Sequence, residues 1–390
     1  MRLGILLGLC SLAIACAGLN AFADGAGDGN ERQVKAVVDA TVRPLMAKEN
    51  ILGMAIGLVV DGRPYVFNYG AASRETGQPV TASTLFEVGS ISKTFTASLA
   101  TYAQVHGYLS LSDEVGKYFE PLRGTPFGGV TLLELGTHTA GSLPMQVPDG
   151  IEDNAQLQQY LKGFRPNQEP GTSRVYSNIG IGTLGLIAAK ALKANFAMLM
   201  QERLFPALGL TSTYIDVPAA RMADYAQGYT TDAKPIRLAP GELWQEAYGV
   251  RTTAADLVRY LEANMRLVDV APDVQQALID THTGYFKAGV MTQDLIWEQY
   301  AYPVALHSLL AGTAEINDAV PVTIINPPER PREDVWINKT GSTNGFAAYV
   351  AFVPVKRSGI VLLANKSLSL PQRVTAAYQI LTALTAAEHP

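Results

Sequence analysis

A serine and a lysine stand three residues apart at Ser90 and Lys93, within the segment 86–97. Helical spacing places residues three apart on one face, so the two side chains can meet. A serine hydroxyl becomes a nucleophile when a base takes its proton, and a lysine of lowered pKa can be that base. The start of the helix would also favour negative charge at Ser90. Alone the motif is weak, because Ser-x-x-Lys occurs about once by chance in such a chain, and a solvated helix start explains it equally well.

A second motif is the tripeptide Tyr176-Ser177-Asn178. A phenol near two lysines can ionise or relay protons, because cations favour the phenolate. The amide of Asn178 both donates and accepts hydrogen bonds, which suits it to orient a substrate amide and to hold a lysine. Taken in isolation, the tripeptide is better explained as a loop tyrosine followed by residues that cap a helix.

The third motif, Lys339-Thr340-Gly341-Ser342, follows a predicted β-strand. An edge strand can align with an extended substrate and bond its backbone, and Gly341 allows close approach of a ligand. The amides of Ser90 and Ser342 could together form an oxyanion hole. The alternative is a β-turn with a surface lysine.

In this order, Ser-x-x-Lys, a central polar tripeptide and Lys-Thr-Gly are typical of β-lactamases and penicillin-binding proteins. Here the central element is Tyr-x-Asn. The chain resembles class C (cephalosporinase-type) serine β-lactamases over nearly all of its length after the first residues. The matching stretches are 86–97, 143–149, 205–210, 246–250 and 338–346.

The resemblance implies the catalytic residues. Ser90 would be the acylated nucleophile, and Lys93 and Tyr176 would share the proton transfers, in a division that the sequence leaves open. Tyr176 would also assist the deacylating water. Lys339 would polarise Tyr176 and, with Thr340, face the substrate carboxylate. The activity implied is hydrolysis of cephalosporins and penicillins through an acyl-enzyme, which would confer antibiotic resistance.

The resemblance also implies a set of substrate-binding residues. They are Gln146, Asn178, Tyr248, Thr340, Gly341, Ser342, Asn344 and Arg373. Asn178 and Gln146 would contact the amide of the substrate side chain. Tyr248 would line the wall of the pocket and Asn344 its rim.

The chain departs from the family pattern at four positions near these motifs. His138 stands where a tyrosine is common, and Ile296 and Ala347 stand where glycine is usual. Leu370 replaces an asparagine that often helps to bind the substrate carboxylate, although Arg373 is retained. We expect these departures to affect the substrate spectrum more than the fold, and we interpret His138 as a packing residue.

Two other functions fit the same motifs. One is an esterase, a D-amino-acid peptidase or a DD-peptidase on this scaffold, and the other is a penicillin sensor that acylates without turnover. The intact Tyr176 argues against the sensor. The sequence contains no Gly-x-Ser-x-Gly elbow, and its five histidines form no metal-binding cluster, so we predict neither an α/β-hydrolase nor a metal or other cofactor.

Composition limits the partners. The 390 residues carry a net charge of -5 without a basic stripe, which argues against nucleic acid and leaves a small-molecule substrate. A content of 48% hydrophobic and 17% charged residues is that of an ordinary globular chain. We expect a monomer with one large core.

The elements that must position the motifs can be read from the apolar periodicity. Predicted helices cover 31–48, 132–137, 154–162, 180–192, 254–265 and 371–387, and predicted strands cover 54–60, 65–69, 335–339, 346–352 and 360–364. Strands at both ends and helices between them predict a sheet built from the two termini, and the resemblance implies an α/β fold of the β-lactamase and penicillin-binding-protein type. Its antiparallel sheet would come from both chain ends and be flanked by helices, with a mainly helical region of roughly 106–230 inserted.

The first 23 residues resemble a secretory signal peptide. An uncharged apolar run ends at Ala21-Phe22-Ala23, a cleavage pattern, and leaves 24–390 as the catalytic domain. Both cysteines, Cys10 and Cys16, lie in this segment, so the mature chain would have no thiol. Export to the periplasm without stable membrane association follows, and an uncleaved membrane anchor is the alternative.

Overall fold

The computed structural model describes residues 27–314 and 318–386. The predicted signal peptide and both cysteines lie outside these residues. No single helix in the described ranges has the length and hydropathy that a membrane crossing requires, although the bent pair Asn178–Ala191 and Phe196–Ala207 meets them jointly.

The described elements alternate along the chain. The helices are α1 (Gly27–Glu49), α2 (Ser92–Val105), α3 (Val115–Tyr118), α4 (Leu132–Gly136), α5 (Asn154–Gly163), α6 (Asn178–Ala191), α7 (Phe196–Met198), α8 (Phe205–Ala207), α9 (Trp244–Tyr248), α10 (Ala254–Asn264), α11 (Pro272–Asp280), α12 (Leu306–Ala314) and α13 (Leu370–Ala386). The strands are β1 (Gly53–Val60), β2 (Arg63–Gly70), β3 (Phe86–Glu87), β4 (Ser173–Arg174), β5 (Thr213–Tyr214), β6 (Gly228–Tyr229), β7 (Pro235–Ile236), β8 (Arg251–Thr252), β9 (Gly284–Ala288), β10 (Met291–Gln293), β11 (Glu298–Ala301), β12 (Val320–Glu329), β13 (Val335–Ser342), β14 (Ala347–Val353) and β15 (Ser358–Ala364).

The main sheet joins the two ends of the chain. Its strand order is β2-β1-β15-β14-β13-β11-β10-β9-β12-β4, and the strand pairs are antiparallel. The N-terminal β1 pairs with the C-terminal β15, for example Ala55 with Leu363. The predicted fold class, a sheet from both chain ends with helices around it, is therefore confirmed.

Helices cover both faces of the sheet. Val361 and Leu363 of β15 face a core shared with the helical region, whereas Ile360 and Leu362 face a core shared with α1 and α13. A strand that is buried on both faces reads as a continuous apolar run, which is what β15 shows.

The helical region is wider than the predicted 106–230. It begins with α2 and ends with α11 at Asp280, and β9 then brings the chain back to the sheet. Helix α2 packs against α6, α9 and α11 and is buried along most of its length. A helix enclosed on all sides shows no apolar stripe, so periodicity alone does not reveal it.

Candidate active site

The nucleophile candidate lies at the start of the central helix. Ser90 belongs to a single 3₁₀ turn, Gly89–Ile91, that leads directly into α2. The Lys93 Nζ lies 2.8 Å from the Ser90 Oγ and donates a second bond of 2.7 Å to the carbonyl oxygen of Ala247. Two fixed contacts hold the amine against the serine, as proton transfer from the hydroxyl requires.

The environment of Lys93 favours its neutral, basic form. The side chain is fully buried, and burial lowers the pKa of the Lys93 ammonium to about 8 from an ordinary 10.5. This pKa includes an opposing contribution from Tyr176, which raises it, and a smaller one from the charge of Lys339, which lowers it. The amine can therefore accept a proton near neutral pH, which an ordinary surface lysine does not do.

The phenol of Tyr176 lies between cations. The Lys93 and Lys339 Nζ atoms are 5.2 and 5.1 Å from the centre of its ring. Burial alone would raise the pKa of the phenol, but the charges of Lys339 and Lys93 outweigh it and lower the pKa to about 8. The Tyr176 hydroxyl lies close enough to Ser90 and Lys93 to contribute to these pKa shifts, and it forms no hydrogen bond of ordinary geometry among the described residues.

A buried charge network surrounds this tyrosine. The Arg174 Nη2 lies 3.1 Å from the Glu298 Oε1, and the Lys339 Nζ lies 3.9 Å from the same oxygen. The Arg174 Nε also donates to the Gln293 Oε1 at 2.6 Å. A single carboxylate thus offsets part of the charge of two cations and fixes their positions. Arg174 and Glu298 were not predicted from the sequence, because nothing in it distinguishes a buried charge from an exposed one.

The loop before Glu298 contains one of the departures from the family pattern. Ile296 has a φ of 71°, in the region that favours glycine. This backbone conformation explains why glycine is usual here. The Ile296 N–H donates to the carbonyl oxygen of Gly136 at 3.0 Å, and the Leu295 N–H donates to the carbonyl oxygen of Thr281. Through these bonds the loop joins the sheet to the helical region.

Two glycines bring the serine and the third motif together. A Cβ at Gly341 would collide with the carbonyl oxygen of Val88, and one at Gly89 would collide with the backbone of Ser342. The amides of Ser90 and Ser342 therefore lie on neighbouring segments. Strand β11 pairs with β13 only as far as Asn338, so the Lys-Thr-Gly-Ser motif presents a local edge. The motif lies inside the sheet order rather than in an edge strand.

These segments border a cleft of about 540 Å³. It is lined by Ser90, Met145, Gln146, Tyr176, Asn178, Leu238, Ala239, Tyr248, Thr340, Gly341, Ser342, Thr343, Asn344 and Leu370. Nine of the twelve residues predicted for the site are in this lining. Lys93 and Lys339 are fully buried beneath it. The amide of Asn178 donates to the Gln146 Oε1 at 2.8 Å, while its own oxygen has no partner among the described residues.

Arg373 lies behind the cleft and does not line it. Its guanidinium donates to the carbonyl oxygens of Gly341 and Ala348 and to the Ser342 Oγ. Through these bonds Arg373 holds the end of β13 in place on the side away from the cleft. Leu370 does line the cleft, so that an apolar side chain stands where a polar one is frequent in the family.

A serine bonded to a buried lysine, facing a cleft at the end of an antiparallel sheet, defines a serine acyl-transfer enzyme. In the described part of the chain, no three His, Cys, Asp or Glu side chains stand together as a metal site.

Comparisons with known proteins agree with this class. The model of the family described as "Beta-lactamase" matches residues 38–385. A β-lactamase of Lysobacter lactamgenus is 46% identical over 378 residues, which are 96% of this chain and 97% of the relative. The solved structure of a class C β-lactamase in complex with cefoxitin is 51% identical, with a TM-score of 0.89 over 91% of this chain and 99% of that one.

A third similar structure is described as a D-alanine carboxypeptidase of Burkholderia cenocepacia. It is 58% identical, with a TM-score of 0.87 over 90% of this chain and 99% of that one. The chain belongs to the β-lactamase family, and its structural relatives identify it as a class C serine enzyme.

Proposed function

We propose that the protein hydrolyses the β-lactam amide of cephalosporins and penicillins through an acyl-enzyme at Ser90. The observation that carries the proposal is the 2.8 Å contact between the Lys93 Nζ and the Ser90 Oγ, next to the Tyr176 phenol, whose pKa is lowered. Membership of the family supports the substrate class, since relatives are described as β-lactamases and one was solved with cefoxitin.

Acylation begins with transfer of the Ser90 proton to the Lys93–Tyr176 pair. The Ser90 Oγ forms a bond to the lactam carbonyl carbon, and the oxyanion accepts hydrogen bonds from the amides of Ser90 and Ser342. The carbon–nitrogen bond then breaks, and the lactam nitrogen takes the proton that the pair holds. Because the pKa values of Lys93 and Tyr176 are both lowered to about 8 and the two groups interact, the proton belongs to the pair rather than to one residue.

Deacylation uses the same pair on a water molecule. Tyr176, polarised by Lys93 and Lys339, takes a proton from the water, whose oxygen forms a bond to the ester carbonyl carbon. The ester bond to the Ser90 Oγ breaks, and the proton returns to that oxygen. The product leaves as a carboxylic acid with the lactam ring open, and the acid then releases its proton to the solvent.

Recognition of the substrate uses the two walls of the cleft. Asn178 and Gln146 form one polar wall that suits an amide side chain, and Thr340 with Asn344 forms the other, toward the substrate carboxylate. Tyr248 closes the side of the cleft. Arg373 acts indirectly, because it holds the Ser342 hydroxyl and the strand end.

A panel of substrates tests the proposal. Nitrocefin, a penicillin, a D-alanyl-D-alanine peptide and an activated p-nitrophenyl ester are compared by kcat/KM, with Ser90→Ala as the control. We expect nitrocefin and the penicillin to be hydrolysed fastest, and the control to be inactive. Faster turnover of the ester or the peptide would indicate the esterase or peptidase, and stoichiometric acylation without release would indicate the sensor.

We also propose that residues 1–23 are removed on export to the periplasm, where the chain acts as a monomer and confers β-lactam resistance. Its bacterial relatives and the cleavage pattern at Ala21-Phe22-Ala23 support this proposal. N-terminal sequencing of the periplasmic protein should begin at Asp24. A membrane-bound chain that retains Met1 would contradict it.

A further inference from the structure

His138 holds both neighbours of the central tyrosine. The Val175 N–H donates to the carbonyl oxygen of His138 at 2.8 Å, and the Ser177 N–H donates to its Nδ1 at 3.2 Å. The imidazole also lies against the phenol, with ring centres 4.2 Å apart and a tilt of 34°. The backbone before Tyr176, the backbone after it and its ring face are therefore all in contact with one residue.

We propose that His138 is a positioning residue that fixes the Tyr176 phenol between the two lysines of the site. The inference rests on the proposed role of Tyr176 in catalysis. It replaces the prediction that His138 only packs, because a packing residue needs no acceptor at Nδ1.

The backbone of His138 suits this function. Its φ of 62° lies in the left-handed region, where histidine occurs more often than most residues. The turn that contains it is fixed on the other side by a bond from the Thr139 N–H to the carbonyl oxygen of Glu134, at 2.9 Å. The ring is thus carried by a rigid turn after α4, and it is 2% exposed.

The neutral ring is the form that this contact requires. Since a backbone N–H donates to Nδ1, that nitrogen carries no proton, and the ring proton is on Nε2. Burial lowers the pKa of His138 well below its usual value, and the cations Arg174, Lys93 and Lys339 lower it further. We call the contacts of His138 with Val175, Tyr176 and Ser177 the clamp. Because the ring stays neutral, the clamp stays intact throughout the pH range in which the lysine–tyrosine pair titrates.

The tyrosine that is common in the family at this position offers no acceptor where the imidazole places Nδ1. A phenylalanine ring likewise keeps the stacking face and loses the acceptor. An asparagine keeps an acceptor at nearly the same place, tolerates the positive φ and loses the ring. The pair His138→Phe and His138→Asn consequently separates the hydrogen bond from the stacking.

The experiment compares kcat, KM and the pH profile of kcat for nitrocefin in the two variants. We expect His138→Phe to lower kcat about tenfold, the effect of one lost backbone bond, while KM changes little. The rising limb of its pH profile should move to higher pH, because the phenol is no longer fixed beside the two lysines whose charges lower its pKa. His138→Asn should retain kcat to within about threefold.

His282 provides a matched control. It is buried to the same degree, and its Nε2 lies 3.0 Å from the Asn264 Oδ1, away from the cleft. His282→Phe should lower the melting temperature and leave kcat and the pH profile unchanged. If His138→Phe behaves like this control, or if His138→Asn is as slow as His138→Phe, the inference is wrong.

Tyr176→Phe, measured in parallel, separates the two failures. If Tyr176→Phe keeps the wild-type kcat, the proposed role of the tyrosine is wrong. If Tyr176→Phe has a low kcat while His138→Phe keeps the wild-type kcat, only the proposal for His138 is wrong. Should His138→Phe fail to fold, His138→Ala takes its place, and we expect His138→Asn to exceed it at least about fivefold in kcat. Equal rates in that pair would overturn the inference.

Discussion

At the scale of the residue, the site depends on how cations are arranged around Tyr176. Lys93, Lys339 and Arg174 all lie within 6 Å of the ring centre, and Glu298 offsets part of the charge of Arg174 and Lys339. The lowered pKa of the phenol follows from this excess of positive charge. Removing one of these cations should therefore raise the pKa of the phenol.

Lys339→Met should move the rising limb of the kcat/KM pH profile to higher pH, by about one unit. The charge of Lys339 lowers the pKa values of both Lys93 and Tyr176, so its loss raises both. The pair then loses its proton only at higher pH, and activity at pH 7 falls. Lys287→Met, which removes a half-exposed cation of β9, is the control. An equal shift of the pH profile in this variant would show that the effect does not come from the position of Lys339 in the site.

Tyr176→Phe should slow deacylation more than acylation, because Lys93 remains beside Ser90 while the group that activates water is lost. Intact-mass spectrometry during turnover should show accumulation of acyl-enzyme. Normal turnover without accumulation would assign the water activation to another group.

The sequence predicted most of this site and missed its charge balance. The three motifs carry Ser90, Lys93, Tyr176 and Lys339, whose spacing along the chain is visible in the sequence. Glu298 follows an apolar loop and carries no motif. Its partnership with Arg174 joins β11 to β4, across 124 residues of the chain, and is a long-range property that no local pattern reveals.

At the scale of the element, the site is built where the end of β13 meets the turn before α2. The six predicted helices and the terminal strands lie within about four residues of their predicted bounds, because each shows apolar periodicity or a continuous apolar run, whereas α11 and α12 were not predicted. The second strand, predicted at 65–69, begins two residues earlier, because the reversal needs only Asp61 and Gly62, both with positive φ, and Pro64 lies in the edge strand β2.

Gly341→Ala should test this close approach. The added Cβ meets the carbonyl oxygen of Val88, so β13 must move away from the serine turn. We expect kcat/KM for nitrocefin to fall about 100-fold, as for a displacement near 1 Å, with a loss of about 3 kcal/mol in unfolding free energy. Gly129→Ala, where a Cβ meets nothing within 4 Å, is the matched control. Equal effects of the two variants would contradict the argument.

At the scale of the whole molecule, the sheet and the helical region meet at the loop that contains Asp294. Its carboxyl group is fully buried and has no hydrogen-bond partner among the described residues. Burial raises the pKa of Asp294 well above its usual value, with a contribution from Glu329. The folded chain therefore holds a proton that the unfolded chain releases, and stability is lost as pH rises above about 4.

Asp294→Asn should remove this dependence. The variant should match the wild type near pH 4 and exceed its unfolding free energy by at least about 1 kcal/mol at pH 8, as measured by urea denaturation at both values. Asp216→Asn, at an exposed carboxylate, is the control and should show no such difference. A wild-type stability that is independent of pH in this range would show that Asp294 does not titrate in this way.

The proposed function depends above all on acylation of Ser90 by a β-lactam. The most direct measurement is mass spectrometry of the protein quenched during turnover of cefoxitin, followed by peptide mapping. We expect one adduct with the mass of the whole β-lactam, on the peptide that contains Ser90, and none in Ser90→Ala. An adduct on another residue, or full turnover by Ser90→Ala, would contradict it.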